Sequence, residues 1–253
     1  MKDILTAKFV KEMQSTTANM YRLGWDERNG GNISYMLDEK EVAEYLDLNN
    51  VIRTIPTGFD ATDLIGKIFI VTGTGKYFKN VMEDPENNLG IIRIAADGTT
   101  AELLWGYADG GKFTSELPAH LMSHMARLRV DPENRVVMHS HPTNTLAMNY
   151  IHELDEKKFT HTLWEMCTEC IVVFPDGVVS FRGCFAELTK SVRQQQRRWK
   201  SSAWLSGVCT ASTAQARQWT KPSALSRQLK RLHRFICSQL ICPELTQSRT
   251  ARW

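Results

Sequence analysis

The net charge of this chain changes sign after Gly177. So abrupt a change in composition indicates that one fold does not include the whole sequence. Residues 1–177 contain 17 Lys and Arg and 26 Asp and Glu, a net charge of −9, whereas residues 178–253 contain 14 Lys and Arg and 2 acidic residues, a net charge of +12. The second part has no Asp and holds four of the six Cys and four of the seven Trp. We expect one domain over residues 1–178 and an atypical, poorly ordered basic tail over residues 179–253.

Two hypotheses account for the basic tail. An arm that binds nucleic acid or an acidic membrane would be basic, but such arms are usually poor in Trp and Cys. Codons translated in a shifted frame commonly yield Trp, Cys, Arg, Ser and Gln together, and no sustained apolar period follows Val178. We favour a shift of reading frame near codons 178–180, so neither nucleic acid nor a membrane is expected as a partner. Salt-dependent binding to DNA or to anionic vesicles would favour the other hypothesis.

In other respects the composition is that of an ordinary globular protein, with 42% hydrophobic and 23% charged residues. No run is long and apolar enough for a membrane helix, and the first residues lack a secretory apolar core. We therefore expect a cytoplasmic protein with reduced cysteines. Cys167 and Cys170 have C-x-x-C spacing, but no second pair at the right distance supports a zinc knuckle.

Two histidines, His139 and His141, end a short apolar run that begins at Arg135. Because side chains alternate along a strand, both imidazoles would project from one face, a geometry that suits metal chelation. The turn over residues 142–144 would end the strand and place the pair at its carboxyl end. On these residues alone, a metal site and a ligand-free, hydrogen-bonded histidine pair both stay open.

Two glycine-rich turns are candidates for binding an anion. Residues 26–32 form a polar turn before a predicted strand at 33–37, and residues 73–76 follow a predicted buried strand at 68–72. Backbone amides made accessible by glycine, together with hydroxyls and Lys76, suit a phosphate. Neither turn has a complete nucleotide-binding spacing, so a plain turn is the alternative for each.

A further helix is predicted to begin near residue 114, with Thr114 or Ser115 as its N-cap. Glu116 in the first turn would be either a solvated partner of the helix dipole or a catalytic carboxylate facing the two histidines. His120 and His124 lie four residues apart on this helix, and we interpret them as surface or packing residues.

The remaining pattern alternates helices and strands. Helical periodicity covers residues 3–23, 143–154 and 155–166, and short apolar runs predict strands at 91–95, 103–105 and 170–174. Residues 46–66 are expected to form an irregular loop. Alternation of this kind favours an α/β layered domain.

Four segments together resemble the class II aldolase and adducin-head family. In chain order they are residues 25–32 (WDERNGGN), 71–76 (VTGTGK), 114–120 (TSELPAH) and 139–141 (HSH). The resemblance covers residues 1 to about 178 and implies an α/β domain with a central, mainly antiparallel sheet flanked by helices. It also implies a lyase that performs zinc-dependent retro-aldol cleavage of L-rhamnulose 1-phosphate to dihydroxyacetone phosphate and L-lactaldehyde, and that assembles as a homotetramer.

The resemblance also implies roles for individual residues. His139 and His141 match zinc ligands, and Glu116 matches the catalytic carboxylate that exchanges the proton at the nucleophilic carbon. Glu169 matches a second acidic residue, which acts on the aldehyde oxygen from a neighbouring subunit. The residues implied to cradle the phosphate are Asn29, Gly31, Asn32, Thr74, Gly75, Thr114 and Ser115.

The chain departs from the family pattern at the third zinc histidine. The family carries it in a W-P-x-H-G stretch about seventy residues after the second histidine, and this chain reads SGVCTAS over residues 206–212. His233 lacks that context. Two histidines with Glu116 would hold zinc weakly, so we expect impaired activity. A non-enzymatic adducin-like head is the alternative within the fold, but such a head would not need both histidines and Glu116 together.

Overall fold

The apolar run Ile68–Thr72 forms a strand in which every residue is buried, and the other elements are arranged around it. The computed structural model describes residues 1–153, 155–173, 175, 177–181, 204–207 and 212–217. Side chains that alternate along this strand face opposite sides of the sheet, so both sides must be covered by other elements.

The described helices are short to medium in length. They are α1 (Lys8–Arg22), α2 (Glu39–Ala43), α3 (Phe78–Val81), α4 (Pro85–Asn88), α5 (Leu117–Leu128), α6 (Thr143–Ile151), α7 (Glu156–Met166) and α8 (Glu169–Val173), with 3-10 turns at Ile4–Thr6 and Thr62–Leu64. The strands are β1 (Asn32–Leu37), β2 (Arg53–Pro56), β3 (Ile68–Thr72), β4 (Leu89–Ile94), β5 (Thr100–Gly106), β6 (Asn134–Ser140), β7 (Val179–Phe181), β8 (Trp204–Gly207) and β9 (Ser212–Arg217). None of these described helices combines the length and apolar character needed to cross a bilayer.

Within the described residues, the nine strands form one sheet in the order β2-β5-β4-β3-β1-β6-β9-β8-β7. Neighbouring strands are antiparallel except β7 and β8, which run parallel. The predicted α/β architecture with a mainly antiparallel central sheet is therefore confirmed.

Two separate cores cover the sheet. Ile68 and Ile70 of β3 face a core that contains the inner face of α1 and parts of α3 and α7. Phe69 and Val71, at the alternate positions, face a second core that contains the inner face of α5. Burial of each such side chain contributes about 1.5–3 kcal/mol before entropy is subtracted. The α5 side of the sheet is the one that carries the candidate site.

Several predicted elements are found where the sequence placed them. The opening helix begins after a 3-10 turn that Asp3 caps by accepting from Leu5 N, and it ends at Arg22. The predicted strands at 33–37, 68–72, 91–95 and 103–105 correspond to β1, β3, β4 and β5. The helices predicted at 143–154 and 155–166 correspond to α6 and α7.

The prediction of a strand at residues 170–174 was wrong, because residues 169–173 form α8. The backbone N–H of Cys170 donates to Cys167 O at 2.9 Å, and that of Ile171 donates to Thr168 O at 3.1 Å, as in a helical turn. Cys170 is buried, whereas Val172 is 82% exposed. A short apolar run is ambiguous between a strand and a helical turn, and here the side chains do not enter the sheet. Phe174, the last residue of that prediction, lies outside the described residues.

Two other predictions need correction. Residues 46–66 are not wholly irregular, since they contain β2, which pairs with β5, and the turn Thr62–Leu64. Neither Thr114 nor Ser115 is the N-cap of α5, because Glu116 occupies that position without a side-chain cap. Thr114 is instead held by its backbone N–H, which donates to Thr72 O at 3.0 Å.

The basic segment 179–253 is described only at β7, β8 and β9. Strand β9 pairs with β6 so that Ser212 lies opposite Ser140 and Thr213 opposite His139. The prediction that this segment is poorly ordered falls mostly on residues outside those described, and it stays a prediction.

Candidate active site

Three strand ends meet at one edge of the sheet. Strand β1 begins at Asn32 and runs antiparallel to both of its neighbours, β3 and β6, so its start lies beside their carboxyl ends. Asn32 is directly opposite His139 in the register with β6. On the other side, the backbone N–H of Ile33 donates to Thr72 Oγ1 at 3.0 Å. The antiparallel pairing thus brings together residues more than a hundred positions apart in the chain.

The segment that leads into α5 is attached to the same edge. Gly73 and Phe113 form a β-bridge, and the backbone N–H of Thr74 donates to Lys112 O at 2.8 Å. Thr114 Oγ1 then accepts from the backbone N–H of Glu116 at 3.2 Å. These contacts fix the start of α5 so that Glu116 reaches the end of β6.

Glu116, His139 and His141 form the centre of the site. The carboxylate oxygen Oε2 of Glu116 contacts Nδ1 of His139, and the rings of the two histidines have centroids 5.2 Å apart. The predicted adjacency of the two imidazoles is therefore observed. His141 is anchored by its backbone N–H, which donates to Trp25 O at 2.7 Å, and its Nδ1 lies 3.3 Å from Glu27 Oε1.

The environment of Glu116 favours its ionised form. Burial acts to raise its pKa, but the hydrogen bond and charge of His139, together with His120 and Asn32, outweigh burial and lower the pKa to about 2. Burial and the neighbouring His139 lower the pKa of His141. An ionised Glu116 and a neutral His141 can therefore coexist at neutral pH.

His139 has the properties of a metal ligand. Because an ionised carboxylate contacts Nδ1, the proton of the neutral ring belongs on Nδ1, which leaves a lone pair on Nε2. That Nε2 atom is buried and has no hydrogen-bond partner among the described residues. An imidazole oriented by a carboxylate, with its second nitrogen unpaired, is the usual arrangement around zinc.

The donor set is incomplete in the part of the chain that the structure describes. No group of three or more His, Cys, Asp or Glu side chains is arranged there to hold a metal. The pairing of β9 with β6 starts opposite Ser140 at Ser212, the end of the 206–212 stretch that lacks the third histidine. The two imidazoles thus fit a metal only as a partial ligand set.

The two glycine-rich turns lie beside these residues. A Cβ on Gly30 would be 2.8 Å from Nδ1 of His141, and a Cβ on Gly31 would be 2.7 Å from the Phe78 ring. Only glycine fits such close approaches without displacing a neighbour. Of the predicted cradle residues, Gly31, Asn32 and Thr114 are buried at the edge, Thr74 is half-buried, and Asn29, Gly75 and Ser115 are exposed.

Glu169 lies elsewhere, in the first turn of α8. Its side chain is exposed, and its Oε2 accepts from the thiol of Cys167 at 3.2 Å. Its position on α8 is separate from the three strand ends described above.

The sequence interpretation missed the role of His120 and His124. Both are buried, at 2% and 0% exposure, and both contact Ser34 Oγ, at 2.7 Å and 2.8 Å. His120 Nε2 also contacts Oδ1 of Asn32. The available signal was the combination of polar residues at alternate positions of β1 with histidines four apart on the apolar face of α5.

Comparison with known proteins identifies the family and the relatives of this chain. The sequence profile of the class II aldolase and adducin N-terminal domain matches residues 11–198. The rhamnulose-1-phosphate aldolase of Listeria monocytogenes is 68% identical over 177 residues, or 70% of this chain. That of Enterococcus faecalis is 63% identical over 176 residues, also 70% of this chain. The matched part spans 65% of the Listeria protein and 63% of the Enterococcus protein.

Solved structures of low sequence identity share the fold. A sugar-phosphate aldolase from Thermotoga maritima superposes with a TM-score of 0.76 at 23% identity, covering 91% of this chain and 94% of that one. An L-fuculose-1-phosphate aldolase from Thermus thermophilus superposes with a TM-score of 0.55 at 11% identity, covering 95% of this chain and 97% of that one.

Proposed function

Because the chain belongs to the class II aldolase and adducin N-terminal domain family, we propose that it is a lyase that cleaves a sugar 1-phosphate by a retro-aldol reaction. The substrate we propose is L-rhamnulose 1-phosphate, cleaved to dihydroxyacetone phosphate and L-lactaldehyde, since relatives at 63–68% identity carry that substrate in their names. The observation that carries the proposal is the contact of Glu116 with His139, beside His141 and two glycine-rich turns.

Glu116 transfers the proton to and from the carbon of the ketose fragment that takes part in the carbon–carbon bond. Its lowered pKa keeps the carboxylate ionised at neutral pH, which suits a base. In the condensation direction the carboxylate removes a proton from the carbon of dihydroxyacetone phosphate that attacks the aldehyde. In the cleavage direction the substrate hydroxyl that becomes the aldehyde carbonyl gives up its proton as the carbon–carbon bond breaks. Glu116 takes up one proton and passes it to the carbon of the ketose fragment. The backbone contact with Thr114 keeps Glu116 at the edge of the sheet during both steps.

His139 and His141 would hold the metal, which we propose is zinc. Zinc would supply a Lewis acid that stabilises the negative charge left on the ketose fragment when the bond breaks. The contact of Glu116 with Nδ1 of His139 orients that imidazole and makes it a better donor. With a third histidine missing, a loss of roughly 3–4 kcal/mol in transition-state stabilisation would reduce turnover about a hundred- to a thousandfold.

The phosphate would lie between the two glycine-rich turns. Backbone N–H groups in such turns form concave sites for anions, and hydroxyls at the start of a helix add further donors. Lys76, the last residue of the second turn, adds a positively charged side chain that is paired with Asp109. The residues we propose for this cradle are Asn29, Gly31, Asn32, Thr74, Gly75, Thr114 and Ser115.

Glu169 is proposed to act on the aldehyde oxygen from a neighbouring subunit of a homotetramer. Its exposed position on α8 supports a role at a subunit contact, as do the exposed apolar side chains of Ile171 and Val172 next to it. Sedimentation of the purified chain at several concentrations tests the tetramer, and a monomer at all concentrations would contradict it.

We propose a cytoplasmic location, which suits the free thiols of Cys167 and Cys170.

Metal analysis of the purified full chain tests the metal site. We expect zinc in the wild type and a clear loss of zinc in the double variant His139→Ala, His141→Ala. The exposed His161→Ala variant serves as the matched control and should keep the wild-type zinc content. Equal zinc content in the wild type and the double variant would refute the site.

An assay of dihydroxyacetone phosphate release tests the reaction. Wild-type protein supplied with zinc should release it from L-rhamnulose 1-phosphate faster than from L-fuculose 1-phosphate. Glu116→Gln should lower the rate at least about a hundredfold, since it removes the proton acceptor, whereas the exposed Glu133→Gln should leave it unchanged. No release from either substrate in the presence of zinc, or equal rates for Glu116→Gln and the wild type, would refute the proposal.

A further inference from the structure

The residues proposed above for the phosphate cradle carry no positive charge. All seven are Asn, Gly, Thr or Ser, so they offer a phosphate only neutral side chains and backbone N–H groups. Such donors bond phosphate oxygens well, but they leave the two negative charges of the group without a counter-charge, which Lys commonly supplies. Lys76 is the cationic residue of the second glycine-rich turn, and it is paired with Asp109.

The side chain of Lys76 packs against two glycines. A Cβ on Gly73 would be 2.7 Å from Lys76 Cγ, and a Cβ on Gly111 would be 3.7 Å from Lys76 Cε. The aliphatic stem therefore folds back over the first residue of its own turn and reaches the loop between β5 and α5. The packed stem leaves the side chain of Lys76 only 20% exposed.

The two segments that Lys76 spans also carry four of the proposed cradle residues. The turn at residues 73–76 supplies two of them, and the end of the loop before α5 supplies the other two. The backbone N–H of Thr74 donates to Lys112 O at 2.8 Å, and that of Thr114 donates to Thr72 O at 3.0 Å, so the segments lie side by side. An ammonium group on a flexible stem that rests on both segments can therefore reach a phosphate bound between them.

Asp109 is held in place by its own loop. Its Oδ1 accepts from the backbone N–H of Gly111 at 3.0 Å, while its Oδ2 contacts Nζ of Lys76. The guanidinium of Arg53 donates to Gly111 O, which ties the loop to β2. The hydrogen bonds from Lys76 and from Gly111 lower the pKa of Asp109, so its carboxylate is ionised at neutral pH. The loop thus presents a full negative charge to Lys76.

A purely structural pair that ties two surface segments together is the alternative. The segments are already joined by the β-bridge between Gly73 and Phe113, so they do not need the ion pair to stay together. Asp109 is 42% exposed, and ion pairs at such exposure contribute little to stability. A pair of this strength is also one that a doubly charged ligand can displace at small cost.

We propose that Lys76 binds the phosphate group of the substrate, and that Asp109 is a counter-ion built into the loop between β5 and α5, which the phosphate displaces from Lys76. The exchange favours the phosphate because a dianion offers the ammonium two charges where the carboxylate offers one. Asp109 therefore sets how tightly the phosphate is held. This inference rests on the proposed function only for the place of the phosphate at the second turn.

Isothermal titration of the full chain with inorganic phosphate, at pH 8 and low salt, tests both roles. Lys76→Met keeps the apolar stem and removes the charge, so it should weaken binding about tenfold. Asp109→Asn keeps an acceptor for Gly111 and removes the negative charge, so it should tighten binding about threefold. Glu86→Gln is the matched control, because exposed Glu86 lies beside the same loop, where its backbone O accepts from Ala108 N at 3.2 Å. It should leave the affinity unchanged.

The double variant Lys76→Met, Asp109→Asn separates displacement from a general change of charge. If Asp109 acts only through Lys76, its replacement has no effect once Lys76 is absent, and the double variant should bind phosphate as weakly as Lys76→Met. The same gain from Asp109→Asn in both backgrounds would show long-range repulsion and would overturn the counter-ion role. Wild-type affinity in Lys76→Met would overturn the role of Lys76.

Nuclear magnetic resonance of the chain labelled with ¹³C in aspartate follows the displacement directly. The carboxyl signal of Asp109 is the one missing from Asp109→Asn. In the wild type it should move when phosphate is added, because the carboxylate loses its ammonium partner, and in Lys76→Met it should not move. A wild-type signal that stays in place at saturating phosphate would show that the ion pair persists, and would overturn the displacement.

The outcomes also separate this inference from the proposed function. Unchanged phosphate affinity in Lys76→Met, in a chain that releases dihydroxyacetone phosphate, would refute the inference and keep the function. The predicted order of affinities, in a chain that releases none, would keep the counter-ion and refute the aldolase. In an active chain, Asp109→Asn should lower KM for the sugar phosphate about threefold without raising kcat. A wild type that binds no phosphate would overturn the inference together with the proposed cradle.

Discussion

Asp26 is the buried group whose removal should most clearly stabilise this protein. It is 3% exposed, and within the described residues neither carboxylate oxygen has a well-aligned hydrogen-bond partner. Burial raises its pKa to about 6, and the backbone N–H groups of Phe78 and of Asp26 itself offset only part of that effect. The side chain supports the first glycine-rich turn, since a Cβ on Gly31 would lie 3.2 Å from the Asp26 Cβ.

The pKa of Asp26 determines the sign of its effect on stability. Because the folded pKa is above the unfolded value of 3.8, the folded state binds the proton more tightly than the unfolded state. The free energy of unfolding is therefore unaffected below pH 3.8, falls as pH rises from 3.8 to about 6, and stays low above that. The pKa difference corresponds to about 3 kcal/mol at most, and about 2 kcal/mol is a realistic expectation for a site that relaxes.

Urea unfolding of the full chain at several pH values would measure this effect. Asp26→Asn should raise the free energy of unfolding by about 2 kcal/mol at pH 8 and by much less at pH 4. Asp38→Asn is a suitable control, because Asp38 is exposed and caps α2, a role that Asn fills equally well. A variant that is no more stable than the wild type at pH 8, or one whose effect does not depend on pH, would show that Asp26 is solvated or paired.

Two further predictions concern the first glycine-rich turn and the basic tail. Gly31→Ala should cost about 1–3 kcal/mol of stability, because the new methyl group would overlap the Phe78 ring, and isothermal titration should show weaker binding of inorganic phosphate; unchanged phosphate binding would contradict a role for this turn in the cradle. The coding DNA, read in the other two frames from codon 178, should contain a W-P-x-H-G segment about thirty codons on. If neither frame contains one, the frameshift hypothesis fails; if one does, restoring the frame should recover zinc content and aldol cleavage together.

Local periodicity was enough to predict much of the framework. The buried run at β3 and the alternating pattern of β1 gave strands, and the apolar face of α1 gave a helix, because each pattern is set by the geometry of a single element. The prediction of a strand for the short apolar run that forms α8 was wrong, because the periodicity of five residues does not distinguish a strand from a helical turn. Strand β2 was missed because four residues with one buried side chain carry almost no pattern.

The candidate site was predictable where its residues are neighbours in the chain. His139 and His141 lie on one face because strand side chains alternate, and the glycines of residues 30–31 signal a close backbone approach that the structure contains. Glu116 was singled out by its place at the start of a helix and by a family resemblance, but nothing in its own segment places it against His139. That contact depends on the pairing of Gly73 with Phe113 and of Thr114 with Thr72.

The sequence by itself determined the type of most elements, the face on which each side chain lies, and the family to which the chain belongs. Only the tertiary structure decided which faces meet. The pairing of β1 with β6 placed Asn32 opposite His139, and the packing of α5 on β1 brought His120 and His124 into a buried network of polar side chains that ends at Asn32. The physical reason is that periodicity is set by bonds within an element, whereas such contacts depend on burial shared by segments far apart in the chain.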